Sequence, residues 1–258
     1  MVGHMADTFS HVVAAYPRWA AAVGPAAGGS IPFSVGSVRS KFALDSRRAE
    51  GELWFYSFLG SIFGPFAVAA VEFEQVPSLA LSDDNLVLHS DAYWINWQAP
   101  GFSDFSQEAV VAAGRDAGVF FGGVIAEVAA EFGARPAPLW ALVRDGAVQA
   151  SLDAGNVAWD VERGVQVARW LLTGLDVAVA GEVLPGLRAV IDGEFSPVIT
   201  EGQLEAAAAD DAVVFAPRAS CCQIYRQEGS AECTSCPRRD AGSRDAALLR
   251  YAQSLREL

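Results

Sequence analysis

The stretch that decides the fold is residues 53–71, LWFYSFLGSIFGPFAVAAV, which contains no charged side chain. A helix of about 20 apolar residues is long enough to cross a bilayer. Two features favour a buried core helix instead. Gly60 and Pro65 interrupt the apolar run, and the only basic flank, Arg47 and Arg48, lies on its N-terminal side, which would send the rest of the chain out of the cytoplasm. We therefore predict no transmembrane span and leave peripheral membrane contact through this stretch open.

Outward from this stretch, helical patterns alternate with short segments rich in β-forming residues. We predict helices over residues 9–23, 47–73, 105–132 (capped by Ser103 and Asp104), 138–154, 165–175, 202–209 and from about 243. We predict strands within residues 85–97, 187–199 and 212–218, an irregular or extended segment at 31–44, and a loop at 98–104. The pattern is typical of a helix-rich α+β fold with a small antiparallel sheet.

Composition excludes some function classes. The chain has 258 residues, of which 52% are hydrophobic, enough for a sizeable core. Its formal net charge is -13, and an acidic surface repels phosphate backbones. A nucleic-acid partner is therefore not expected.

The four cysteines carry the most specific signal. They lie within 16 residues in the pattern C-C-x10-C-x2-C: Cys221, Cys222, Cys233 and Cys236. Random scatter would produce such clustering about once in a thousand chains. Four buried thiols with no function are therefore improbable. Two disulfides fit poorly with an adjacent pair and no signal-peptide pattern, and a dithiol at Cys233 and Cys236 would leave the other two cysteines unexplained.

A metal site uses all four thiols, as structural zinc or as an iron–sulfur cluster. Adjacent residues have Cα atoms only about 3.8 Å apart and side chains that diverge. Cys221 and Cys222 would therefore suit a binuclear centre better than a single ion. The turn signal at Gly229 and Ser230 allows the chain to return and bring the second pair of cysteines back.

This arrangement, with Arg218 just ahead of it and Pro237 just after it, resembles the ferric-siderophore reductases of the FhuF type. The resemblance rests on about 20 residues near the C-terminus. It implies that Cys221, Cys222, Cys233 and Cys236 ligate a [2Fe–2S] cluster, in an iron–sulfur hairpin followed by a helix. It also implies two units, a helix-rich substrate-binding region at residues 1–211 and a cluster-binding segment at 212–258.

The activity that the resemblance implies is one-electron reduction of Fe³⁺ in an imported siderophore, which releases Fe²⁺. The acidic chain would favour a cationic complex of the ferrioxamine type, so we expect a hydroxamate siderophore. Because no signal-peptide pattern supports an oxidising compartment, we expect a cytoplasmic location. The glycines at 114, 118, 122 and 123 lack the spacing of a dinucleotide-binding fingerprint, so an external ferredoxin or flavoprotein would supply electrons. A zinc-stapled binding module and a C-x-x-C dithiol redox protein remain the alternatives.

Outside the cysteines, two sets of side chains are candidates. Trp94, Trp97 and Phe102 surround a Pro-Gly loop and could wall a substrate pocket. Arg218, Arg226 and Arg238 lie close to the cysteines in sequence and could tune the charge of a cluster. No acid, base or nucleophile is needed for electron transfer, so we expect no catalytic residue beyond the cluster.

Overall fold

A computed structural model describes residues 8–175, 186–196 and 212–257. The helix predicted at 202–209 lies outside these ranges. Residue 211, on one side of the predicted boundary between the two units, also lies outside these ranges. The division into two units stays a prediction.

The described residues form seven α-helices and eight short strands. The helices are α1 (Thr8–Ala15), α2 (Ala20–Val23), α3 (Arg47–Glu72), α4 (Gln107–Phe132), α5 (Pro136–Ala158), α6 (Val161–Leu175) and α7 (Ala241–Arg256). The strands are β1 (Ile31–Pro32), β2 (Gln75–Pro77), β3 (Leu86–Leu88), β4 (Ile95–Trp97), β5 (Phe102–Asp104), β6 (Arg188–Ile191), β7 (Glu194–Ser196) and β8 (Val213–Phe215).

Helix α3 is the central core helix that its apolar sequence predicts. Its side chains from Leu53 to Leu59 and from Ile62 to Val71 are almost all buried, and Pro65 is accommodated inside the helix. In the described part of the chain, α3 and α4 are both long and apolar enough to cross a membrane, with 78% and 39% of their most apolar windows buried. Burial in a protein core accounts for the composition of α3.

Helices α4 and α6 approach each other closely because glycines face each other. A Cβ atom on Gly114 would lie 2.3 Å from the carbonyl oxygen of Leu171, and one on Gly174 would lie 2.0 Å from that of Val111. Gly114 of α4 therefore serves helix packing, and Gly118 lies similarly close to the Leu175 carbonyl.

The strands form three small antiparallel sheets, ordered β1-β3-β4, β2-β5 and β7-β6-β8. This confirms the helix-rich α+β fold class. The loop predicted at residues 98–104 is wrong at its end, where β5 pairs with β2. The pairing is between strands distant in sequence, so local turn signals did not reveal it.

Several helix boundaries also differ from the predictions; α6, for example, begins at Val161, four residues before its predicted start. The first predicted helix is divided at Pro17, which has no N–H group to continue the hydrogen-bond ladder. Helix α4 is capped by Ser106, whose hydroxyl accepts a hydrogen bond from the Ala109 N–H, and not by Ser103 and Asp104.

The segment between β8 and α7 carries the cysteines. It contains a single 3₁₀ turn, Ile224–Arg226, and further tight turns, so the chain returns on itself without paired strands. Helix α7 then begins with Asp240 as its cap, whose carboxylate accepts from the Ser243 N–H.

Candidate metal centre

Strand β8, which leads into the cysteines, is fixed to α5 by a buried asparagine. The Asn156 amide donates to the Val214 carbonyl at 2.9 Å and accepts from the Val214 N–H at 2.8 Å. Asn156 is 1% exposed, so both bonds lie in the protein interior. One side chain thereby satisfies both polar groups of a strand residue and sets the position of the strand.

A second polar side chain of α5 holds the residue that precedes the first cysteine. The Asp145 carboxylate accepts hydrogen bonds from the Ser220 N–H at 2.7 Å and from its hydroxyl at 2.6 Å. Both residues are buried. Because Ser220 directly precedes Cys221, this anchor positions the adjacent cysteine pair.

The structure brings the four cysteines together as free thiols. The thiol of Cys233 lies against that of Cys222, and the thiol of Cys221 lies against that of Cys236. Cys222 and Cys236 are buried, whereas Cys221 and Cys233 are half-buried. Each adjacent cysteine thus pairs with one from the C-x-x-C turn.

Backbone N–H groups point at the first two sulfurs. The N–H of Gln223 donates to Cys221 and that of Ile224 donates to Cys222. Gln223 adopts a left-handed conformation, with φ of 67°, which turns the chain directly after the pair. The hydrogen bond from Cys233 is the main reason why the pKa of the Cys222 thiol is lowered, whereas burial raises the pKa of Cys221.

The second pair of cysteines is held by a turn and by an arginine. The Cys236 N–H donates to the Cys233 carbonyl at 3.1 Å, which closes the turn between them. The Arg239 guanidinium donates to the carbonyls of Cys233, at 2.9 Å, and Glu232, and also reaches the Ser243 hydroxyl of α7. Arg239 therefore ties this turn to the last helix.

Arg218 is the one predicted tuning residue that the described structure places on a cysteine. Its Nη1 lies 3.6 Å from the sulfur of Cys233, and its guanidinium lies over the Tyr56 ring at 5.0 Å. The residue is 8% exposed, and its Nε and Nη2 atoms have no hydrogen-bond partner within the described ranges. A buried positive charge beside four thiols favours their ionised form.

The other two arginines have different partners. Arg226 is exposed and pairs with Asp45 at 2.7 Å, while its Nε donates to Gln223. The Arg238 guanidinium lies 4.7 Å from the centre of the Tyr225 ring. Their tuning role stays a prediction.

The candidate substrate aromatics do not form one surface. Trp97 is fully buried, packs against Phe9 and donates from its indole to the Ser61 carbonyl at 2.8 Å. Phe102 also packs against Phe9, whereas Trp94 is 38% exposed and packs against Tyr93. The packing of Trp97 is that of a core residue, and the substrate role of the three stays untested.

Cavities adjoin the cysteine segment on several sides. One of about 500 Å³ has Cys221 in its wall, together with Arg48, Glu52 and Arg135. Another, of about 340 Å³, is lined by Arg188, Arg218 and Arg244 beside Ser235 and Pro237. A third, of about 270 Å³, lies beyond Arg218 and is lined by Trp19, Asp145 and Asp153, among others.

Sequence reasoning missed Asp145, Asn156 and Arg239. The first two are polar residues on the buried side of an otherwise apolar helix, and that placement was the signal available for them. Their partners lie more than 50 residues away, so the sequence did not show what they bind.

The donor set suits a binuclear iron–sulfur centre. The four thiols lie together as two pairs, with N–H donors and a guanidinium beside the sulfurs. Four thiolates with such donors are what [2Fe–2S] clusters require of a protein.

Comparison with known families agrees with this assignment. Residues 218–238 match the model of the FhuF 2Fe-2S C-terminal domain. No curated protein and no solved structure matches the chain. The matched stretch contains Arg218 and all four cysteines, so residues 218–238 are similar to the FhuF 2Fe-2S domain, and this supports a [2Fe–2S] cluster as the cofactor.

Proposed function

We propose that the protein is a ferric-siderophore reductase of the cytoplasm. Its substrate would be an imported Fe³⁺ complex of the hydroxamate type, and its product Fe²⁺. Each turnover adds one electron to the ferric ion and removes one electron from an external donor of the ferredoxin or flavoprotein class. Hard oxygen ligands hold Fe³⁺ far more tightly than Fe²⁺, so this electron loosens the complex.

The observation that supports the proposal is the meeting of four thiols and a buried guanidinium inside the segment that matches the FhuF 2Fe-2S domain. A [2Fe–2S] cluster supplies one-electron chemistry when it is bound there. Residues of this chain would stabilise the negative charge of the bound cluster. The N–H groups of Gln223 and Ile224 and the Arg218 guanidinium are placed to stabilise negative charge on sulfur.

The proposal of an external donor is supported by the glycines of α4, which do not have the spacing of a dinucleotide-binding fingerprint. Gly114 and Gly118 face the backbone of α6 at distances that leave no room for a side chain, so they are used for packing. Nothing in this helix offers the strand-to-helix turn that cradles a dinucleotide.

The test is a visible absorption spectrum of anaerobically purified protein, recorded before dithionite, after dithionite and after addition of a ferric hydroxamate. We expect a brown protein that bleaches on reduction and regains its colour when the ferric complex oxidises it. A colourless protein with about one zinc per chain would refute the proposal and favour the zinc-stapled module. A colourless, metal-free protein would favour the dithiol alternative.

A matched pair of variants makes the test specific. Cys233→Ser removes one candidate ligand and should abolish the visible bands. Thr234→Ala changes the exposed neighbouring residue, which lies between the two cysteines of the turn, and should leave the bands unchanged. Full colour in Cys233→Ser would remove Cys233 from the ligand set.

A further inference from the structure

One cavity in the described part of the chain has a candidate cluster ligand, Cys221, in its wall. It holds about 500 Å³, within the range of pockets that bind small molecules. The 270 Å³ cavity is smaller and reaches the thiols only through Arg218. An electron acceptor seated beside Cys221 would have the shorter path to the thiols.

The lining of this cavity combines apolar side chains with an equal number of polar ones, among them Glu52, Ser220 and Gln223. Its apolar part comes from Ala219 and from the first turns of α5, namely Ala137, Pro138, Ala141 and Leu142. Small-molecule sites likewise combine apolar walls with polar groups that fix the orientation of the ligand.

Two arginines supply the positive charge of the lining, and they differ in availability. Arg48 is paired with Glu52, from Nε to Oε1, at 2.8 Å. Arg135 is exposed and has no hydrogen bond or ion pair with any residue in the described ranges. Its guanidinium is therefore available to a ligand, and a guanidinium suits pairs of anionic oxygens because its N–H groups form a planar fork.

The chelating oxygens of a ferric siderophore are such a group, because each one carries negative charge whatever the net charge of the complex. Local charge also outweighs the overall charge of -13, since salt screens interactions beyond about 8 Å at physiological ionic strength. The acidity of the chain as a whole therefore does not decide what this cavity accepts.

We propose that the ferric complex binds in the cavity lined by Cys221, with Arg135 donating hydrogen bonds to its chelating oxygens. The inference rests on the proposed function and adds the place of binding and a residue that recognises the ligand. Ser220, fixed by Asp145, and the apolar start of α5 form the wall against which the complex lies.

The test separates binding from reduction by using the Ga³⁺ complex of desferrioxamine B. Ga³⁺ has the charge and nearly the size of Fe³⁺ but accepts no electron under these conditions. Titration calorimetry on the oxidised, cluster-loaded protein gives its Kd, and visible circular dichroism reports whether binding disturbs the cluster environment beside Cys221.

Two variants address the cavity, and each has a matched control on the exposed face of α4. Arg135→Gln should weaken binding about tenfold, and Arg115→Gln, with the same loss of charge, should not. Ala141→Leu fills part of the cavity and should weaken binding at least tenfold, and Ala126→Leu should not.

The outcomes distinguish this inference from the proposed function. Wild-type affinity in both cavity variants would overturn the inference and leave the reductase proposal intact. So would reoxidation of the reduced protein by the Fe³⁺ complex without any binding of the Ga³⁺ complex, because reduction would then need no site. Failure of both binding and reoxidation would overturn both proposals.

Discussion

Removal of the Asp145 carboxylate should release the cysteine segment from the helical body. Asp145 is 6% exposed and accepts two hydrogen bonds from Ser220, at 2.7 and 2.6 Å. In Asp145→Ala both donors of Ser220 lose their partner. A buried donor left unsatisfied costs about 1–3 kcal/mol, so for two donors we expect the free energy of unfolding to fall by about 4 kcal/mol.

Asp145→Asn separates the role of the charge from that of the acceptor. The amide oxygen can take the place of the carboxylate oxygen and accept both bonds. Each bond then falls from the range of charged acceptors, about 1.5–3 kcal/mol, to that of neutral ones, about 0.5–1.5 kcal/mol. We expect a loss of about 2 kcal/mol, half of the effect of alanine.

Thermal unfolding of the cluster-loaded protein measures both variants. For a domain of this size, 1 kcal/mol shifts Tm by about 2–4 °C, so Asp145→Ala should lower Tm by about 8–16 °C and also reduce the iron bound per chain. Glu127→Ala, on the exposed face of α4, is the control and should change stability by less than about 0.5 kcal/mol. Equal Tm values for Asp145→Ala and the control would refute the anchoring role.

Three further predictions concern single side chains. Arg218→Met removes a positive charge 3.6 Å from Cys233. At an effective dielectric constant of 20, two unit charges at this distance interact by about 4–5 kcal/mol, so the cluster's reduction potential should fall by about 200 mV in a redox titration. An unchanged potential would contradict this. Asn156→Ala should lower the free energy of unfolding by about 2–4 kcal/mol. Asn156→Asp places a carboxylate oxygen opposite the Val214 carbonyl and should lower it at least as much. A denaturation midpoint for Asn156→Asp equal to that of the wild type would show that the two bonds do not hold β8. Desolvation raises the pKa of Asp153 to about 6, so the charged carboxylate destabilises the folded protein once the pH has risen through 6. Asp153→Asn removes this charge and should therefore raise Tm at about pH 8 but not at about pH 4. The gain should be only about 1 kcal/mol because Asp153 keeps contact with solvent, which screens its carboxylate. An equal gain at both pH values would rule out the titration of Asp153 as its cause.

Features that depend on local pattern could be predicted from the sequence. The apolar run in α3 indicated a buried helix, and the β-forming residues in 85–97 indicated β3 and β4. The spacing of the cysteines, together with the family resemblance, indicated a binuclear cluster. Each of these signals lies within one short stretch of chain.

Features that depend on contacts between residues distant in the chain could not be predicted from the sequence. Ser103, Asp104 and Ser106 are all acceptable helix caps, and the pairing of β5 with β2 decides that only Ser106 is placed to cap α4. Trp97 follows a polar residue in a loop-rich stretch, and only the packing of α1 and α3 around it shows that it is a core residue.

The anchors and the cluster should stabilise the same element, and their coupling can be measured. Residues 216–240 have no paired strand, so bonds to α5, the contacts of Arg239 and the cluster must fix their position. If the cluster is absent, this segment is already less ordered. Asp145→Ala should then lower the free energy of unfolding by less than it does in the cluster-loaded protein. In a double-mutant cycle with Cys233→Ser, we expect a coupling of about 1–3 kcal/mol from thermal or denaturant unfolding. Additive losses would mean that Asp145 stabilises α5 itself and holds the cysteines only incidentally.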